Sequence, residues 1–132
     1  MKIFRLILFL SVTLVMIHGC ATLPMEADPK ASLRAKAEEY WMLRMQDKYE
    51  ETYRMEDRSG LPEFTAYREK AMNIRKLQPK FTIGDIKIDG NKGEVKITYF
   101  VNFPGAPTSL SEVRYDEWVF THGEWFHRFP VN

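Results

Sequence analysis

Apolar residues change their spacing several times along the chain, and each change predicts a different element. From Leu6 to Ile17 they run almost without interruption, broken only by Ser11 and Thr13. From Ala21 to Lys30, "ATLPMEADPK", there are two prolines and no period, which predicts a tether. In "ASLRAKAEEYWMLRM", Leu33, Ala37, Tyr40, Trp41 and Met45 recur at three- and four-residue steps and predict an amphipathic helix, with Arg34 and Glu38 paired along its outer side. Asp47 and Glu50 have capping-box spacing, so a new helix starts at Asp47 or the first one bends there. Tyr49 and Tyr53 then share a face, and Gly60 is a stop signal. Pro62 stands at the expected first position of a further helix whose stripe is Phe64, Tyr67, Ala71 and Ile74.

After this the period falls from 3.6 to 2. Phe81 and Ile83 alternate, then the phase slips at Gly84-Asp85 to Ile86 and Ile88, the signature of a β-bulge. Asp89-Gly90 and Gly93 predict a hairpin loop, followed by a strand with Val95, Ile97, Tyr99, Val101 and Phe103 on one face. "PGAPTS" leads to a third strand, Leu110 to Phe120, and "THGE" turns it into a fourth, Glu124 to Phe129. With His122-Gly123 as turn residues, Phe120 pairs with Trp125, Trp118 with His127 and Asp116 with Phe129. One face is then Asp116, Trp118, Phe120, Trp125, His127 and Phe129; the other is Val113, Tyr115, Glu117, Val119, Phe126 and Arg128. Helices followed by an antiparallel sheet predict an α+β domain over residues 31–132.

The start of the chain changes the picture of where that domain sits. Lys2 and Arg5 precede an apolar run too short for a spanning helix, which needs roughly 20 residues, and small residues follow it. This is the pattern of a secretory signal peptide over residues 1–19. "IHGC", Ile17 to Cys20, resembles the lipobox of bacterial lipoproteins, with His18 its one unusual position. The resemblance implies cleavage before Cys20 and lipid on that residue, with residues 20–30 as lipidated cysteine and tether. Ala21, where an aspartate would resemble an inner-membrane retention signal, implies a cell-envelope protein on the periplasmic face of the outer membrane in a Gram-negative cell. Three acyl chains at about 0.8 kcal/mol per buried methylene would make a permanent membrane anchor. Cys20 is the only cysteine, so the domain is stabilised by its core without a disulfide. Removing Met1 to Gly19 leaves 113 residues in which 17 basic side chains face 18 acidic ones. A net charge of −1 argues against a nucleic-acid partner.

"AEEYWMLRMQDKYEETYRM", Ala37 to Met55, resembles the opening helices of the nuclear transport factor 2-like superfamily, and "YDEWVFTHGEWFHRFP", Tyr115 to Pro130, resembles its closing hairpin. The resemblance implies a cone, with helices on the concave face of a curved antiparallel sheet and a pocket at the open end. The superfamily includes ketosteroid isomerase and scytalone dehydratase, and many small lipoproteins of no known activity. Its catalytic members use an Asp or His with a Tyr inside the cone, though no position here matches those motifs closely enough to carry a role over. Its members often dimerise back to back through their sheets, which implies a homodimer through Phe100, Val113, Tyr115, Val119 and Phe126.

Read as chemistry, Asp116 and His127 fall on one face, and a carboxylate orienting an imidazole makes a general base. Tyr99, Tyr49 or Tyr53 would supply the oxyanion hydrogen bond. Tyr49, Tyr53, Trp118 and Phe120 are the candidates for an apolar pocket lining, while Trp41 and Trp125 read as core. His122 and His127 are too few for a metal site, and no phosphate loop, nucleophile elbow or cofactor motif occurs, so neither metal nor cofactor is expected. Three functions fit. A non-enzymatic binder of a small apolar ligand or envelope protein would have an open pocket lined by aromatics. An isomerase or dehydratase would have Asp116 or His127 at the pocket floor. A structural accessory subunit would have a filled cone.

Overall fold

A computed structural model describes residues 28–77, 80–101, 105 and 110–130, with side chains omitted at 75–77 and 101. Cys20, the apolar leader, most of the tether and Phe103 lie outside these residues. Helix α1, Pro29–Met45, begins inside the expected tether. Asp28 caps it, its carboxylate accepting from the Lys30 amide at 3.1 Å. The stripe Leu33, Ala37, Tyr40 and Trp41 is buried as its spacing predicts, but Arg44 joins it while Met45 is only partly covered. Arg34 does not hydrogen-bond Glu38. Its guanidinium reaches the sheet and donates to the carbonyls of Ile83 (3.4 Å) and Gly84 (2.8 Å).

Helix α2, Tyr49–Arg54, follows Lys48, and no capping box forms. Asp47 adopts a left-handed conformation (φ 60°), and its carboxylate accepts from the Tyr49 hydroxyl at 2.7 Å. Helix α3, Phe64–Leu77, starts after Pro62 and buries Tyr67 and Ala71, with Phe64 half-buried beside them.

Four antiparallel strands follow in sequential order: β1 Lys80–Asp89, β2 Lys92–Val101, β3 Leu110–Thr121 and β4 Glu124–His127. The β1–β2 register shifts between Ile83 and Ile86, which is the predicted bulge. It also places the Gly84 carbonyl where Arg34 can reach it. The first turn is shorter than expected. Asp89 pairs with Lys92, so Gly90 and Asn91 are its two residues and Gly93 lies within β2. Gly93 permits close packing: a Cβ there would collide with Leu33 and stand 3.1 Å from Trp125.

The last hairpin follows the expected register, with Phe120 opposite Trp125 and Trp118 opposite His127. His122 (φ 53°) and Gly123 (φ 83°) both adopt the left-handed conformation that a two-residue turn of this kind requires. The expected Asp116–Phe129 pair is absent because β4 ends at His127. Phe129 leaves the sheet and packs on Tyr67, ring centroids 4.7 Å apart.

The helices cover the sheet face carrying Ile86, Val95, Ile97, Tyr99, Trp118 and Trp125, which forms one core with Leu33, Ala37, Tyr40 and Trp41. A second cluster joins Tyr49, Tyr67, Ala71 and Phe129. Truncating a buried tryptophan costs about 3–5 kcal/mol. Trp125→Ala is therefore expected to unfold the domain or nearly so. Gly93→Ala is expected to destabilise it by roughly 1–3 kcal/mol through overpacking. Urea denaturation checks both; an unchanged midpoint for either would contradict the packing.

Candidate functional site

After α2 the chain becomes extended and runs beside β4. The His127 amide donates to the Met55 carbonyl (2.9 Å), and the Asp57 amide donates to the His127 carbonyl (2.7 Å). This single parallel bridge places Glu56 beside His127. Both side chains are buried, and His127 Nδ1 lies 2.7 Å from Glu56 Oε2. The other Glu56 oxygen accepts from the Tyr40 hydroxyl at 2.5 Å. On its far side His127 Nε2 faces Asp116 Oδ2 at 3.6 Å, and that same oxygen accepts from Trp41 Nε1 at 2.8 Å. Tyr40 stacks on the imidazole with centroids 4.4 Å apart.

A histidine with a carboxylate at each nitrogen satisfies both only when both nitrogens carry protons. Burial works against the charge, but Glu56 and Asp116 outweigh it and raise the pKa of His127 from 6.5 to about 9. Arg44 adds a second buried cation. Its guanidinium donates to the Tyr67 hydroxyl (3.3 Å) and the Ala71 carbonyl (3.5 Å). The rings of Tyr40, Trp41, Tyr49 and Tyr67 surround it at 5.7–5.9 Å. The formal charges of Glu56 and Asp116 are thus matched by His127 and Arg44. Burial, with Glu56 adding to it, pushes the Tyr40 hydroxyl far up, and burial followed by Asp116 does the same to Tyr99, so both stay neutral.

A pocket of about 580 Å³ opens over this network. Tyr40, Trp41 and Arg44 of α1, Tyr99 of β2, Arg114 to Glu117 of β3, and His127 to Pro130 form most of its wall. The cone is therefore open, and all three weak catalytic candidates, Asp116, His127 and Tyr99, line it together. The expected pocket aromatics do not line it. Tyr49 and Tyr53 lie in the cluster beneath α2 and α3, where Tyr53 donates to the Pro62 carbonyl (3.0 Å). Trp118 is core and borders a separate cleft shared with Glu117, and Phe120 packs on Trp125 at the sheet rim. Residue type predicted an aromatic lining, but both tyrosines pack into the second cluster with Tyr67 and Ala71. Glu56 and Arg44 were missed. Arg44 carries a readable signal, since it lies three and four residues after Trp41 and Tyr40 on the buried stripe. Glu56 carries none, because only the bridge to β4 brings it inside. Among the described residues no group of three or more His, Cys, Asp or Glu side chains is arranged to hold a metal ion.

His127 generates a pH prediction. Because its pKa is higher when folded, its stabilising contribution is complete below about pH 6.5 and is lost as pH rises through about 9. A shift of that size corresponds to roughly 3 kcal/mol. Urea unfolding should show the wild type losing stability across this window. His127→Gln should be less stable at pH 6 and lack that loss, and an equal loss in the variant would assign it to another group.

No known family profile matches the sequence, and no curated protein matches it. Solved structures do share its fold. A SEC-C motif-containing protein from Rhodopseudomonas palustris aligns with a TM-score of 0.57 at 12% identity, covering 76% of this chain and 77% of its own. A proposed NTF2-like transpeptidase from Campylobacter jejuni aligns with a TM-score of 0.53 at 9% identity, covering 74% of this chain and 98% of its own. At such identities the likeness shows the fold alone: helices packed on a four-stranded antiparallel sheet, an α+β fold of the nuclear transport factor 2-like kind.

Proposed function

We propose that the open end of the cone binds a small, largely apolar molecule and that the domain is held at a cell-envelope membrane by lipid on Cys20. The observation that carries the binding reading is the pairing of both His127 nitrogens with carboxylates. A charged imidazole held between two acids has no free lone pair with which to accept a proton, so it shapes and neutralises the pocket floor. Tyr40, Trp41 and Tyr99 pack beneath the floor with almost no exposed surface, Ile74 and Tyr115 supply apolar wall, and Asp116 offers a carboxylate to a ligand N–H or O–H. The anchor reading is supported by the leader and "IHGC", and by the short span from Cys20 to the start of α1 at Pro29.

A second reading keeps one specific support. Asp116 and Tyr99 stand on the same pocket wall, an arrangement that an isomerase or dehydratase would use with Asp116 as base. By the pocket-floor criterion this favours an enzyme, while the protonation of His127 favours binding.

Titration with the neutral probe N-phenyl-1-naphthylamine is expected to give saturable fluorescence enhancement with quenching of Trp41. Ile74→Trp, which fills the pocket from α3, should abolish it while the melting curve stays cooperative. Non-saturable binding, or binding indifferent to Ile74→Trp, would contradict a pocket site. For the anchor, the bacterially expressed chain should partition with membranes and carry an acyl mass on Cys20, and Cys20→Ala should lose both. Unmodified mature protein free in the soluble fraction would end that reading.

A further inference from the structure

The sheet ends in an edge that the described residues leave half covered. β4 pairs with β3 only from Trp118 to Thr121, whereas β2 pairs with β3 from Leu110 to Val119. Residues Leu110 to Asp116 therefore have a strand neighbour on one side only among the described residues. The phase of that edge is fixed. The Phe120 amide donates to Asn91 on the β2 side, while the Glu117 carbonyl accepts from the Arg128 amide on the β4 side. The β2–β3 register is continuous from Leu110 to Val119, so the alternation holds along it. The backbone groups of Ser111, Val113 and Tyr115 consequently point outward, three N–H donors and three carbonyls along one edge.

We propose that this edge pairs with the same edge of a second copy, antiparallel about a two-fold axis through Val113. In that register Val113 faces Val113 of the second copy and Ser111 faces its Tyr115, so all six outward groups form hydrogen bonds. The sequence in between is self-complementary. Glu112 meets Arg114 of the second copy, and Arg114 meets its Glu112, in the close, non-hydrogen-bonded positions. Shifting the axis by one residue sets Glu112 against Glu112 or Arg114 against Arg114. Shifting it to Tyr115 calls on Glu117, whose carbonyl already accepts from Arg128. Charged residues commonly guard an open edge against pairing. Here their order about Val113 selects one partner instead.

Edge pairing also bears on the pocket. Arg114 sits on its rim, over the Tyr99 ring at 5.7 Å and 2.9 Å from Glu112 of its own strand. Glu112 of the second copy would join that rim and extend the pocket wall beyond β3. Back-to-back pairing through the outer sheet face is the competing arrangement. Val113 and Tyr115 are exposed there, but Lys87–Glu94 and Arg128–Glu117 ion pairs cross the face and would have to be buried.

Oxidative cross-linking of the full chain in bacterial membranes separates the two, with the wild-type chain as background for its sole cysteine, Cys20, and any fraction of it left unlipidated. Val113→Cys puts the new cysteines about 5.5 Å apart between Cα atoms, within disulfide reach, and a disulfide-linked dimer is expected. Val119→Cys, on the outer face and away from the free edge, should stay monomeric. In detergent-solubilised protein, Glu112→Arg should weaken dimerisation roughly tenfold by replacing two attractive pairs with two repulsive ones. The swap Glu112→Arg with Arg114→Glu should restore it, and cooperative melting of both variants controls for folding. A dimer cross-linked through Val119→Cys and not Val113→Cys, a wild type monomeric at tens of micromolar, or a dimer indifferent to Glu112→Arg would each overturn the proposal.

Discussion

The imidazole of His127, held between Glu56 and Asp116, joins three parts of the molecule in its buried interior. Glu56 belongs to the segment after α2, His127 to the last strand, and Asp116 to the middle of β3. Tyr40 and Trp41 bring α1 into the same chain through the two acids. Burying these groups costs several kcal/mol per ion, which is recovered only when each charge is paired and its remaining hydrogen-bonding sites are filled. Loss of any one member leaves a buried charge exposed to its neighbours with no compensation. The network ties α1 and the segment after α2 to β3 and β4 alongside the apolar core, and it gives the cone its floor.

That floor shapes the functional reading. A neutral imidazole in a dry pocket would be a general base, but one paired at both nitrogens is a fixed cation. With Arg44 boxed by four aromatic rings, two buried cations, Arg44 and His127, stand at the pocket floor, and the two acids flank the imidazole. The pocket thus sets the partly exposed Asp116 carboxylate over a charge-balanced base, with Arg114, Glu117 and Arg128 at its polar rim. This arrangement is what supports the proposed reading of the pocket as a binding site.

Much of this fold is legible in the sequence because local rules decide it. The phase slip at Gly84-Asp85 marks the bulge, His122-Gly123 sets the hairpin register, and the stripe from Leu33 to Trp41 marks the buried side of α1. What is not legible is decided by contacts between distant segments. Glu56 reads as a surface acid until the bridge to β4 draws it inside. Arg34 reads as half of a helix pair, yet carbonyls at the bulge offer it better acceptors. Gly93 reads as a turn residue, whereas its missing side chain is needed for the approach of Leu33. The site divides in the same way: Asp116, His127 and Tyr99 follow from strand alternation and Arg44 occupies a position on the buried stripe, while Glu56 is a charged residue that pattern reading assigns to solvent.

The protonation of His127 tests the account most directly. Nitrogen NMR of the ¹⁵N-labelled imidazole near pH 7.5 reports whether each ring nitrogen carries a proton. A doubly protonated ring that releases a proton only near pH 9 is the predicted result. A single neutral tautomer at that pH, with one nitrogen free to accept a proton, would contradict the charge-balanced floor and turn the pocket reading toward catalysis.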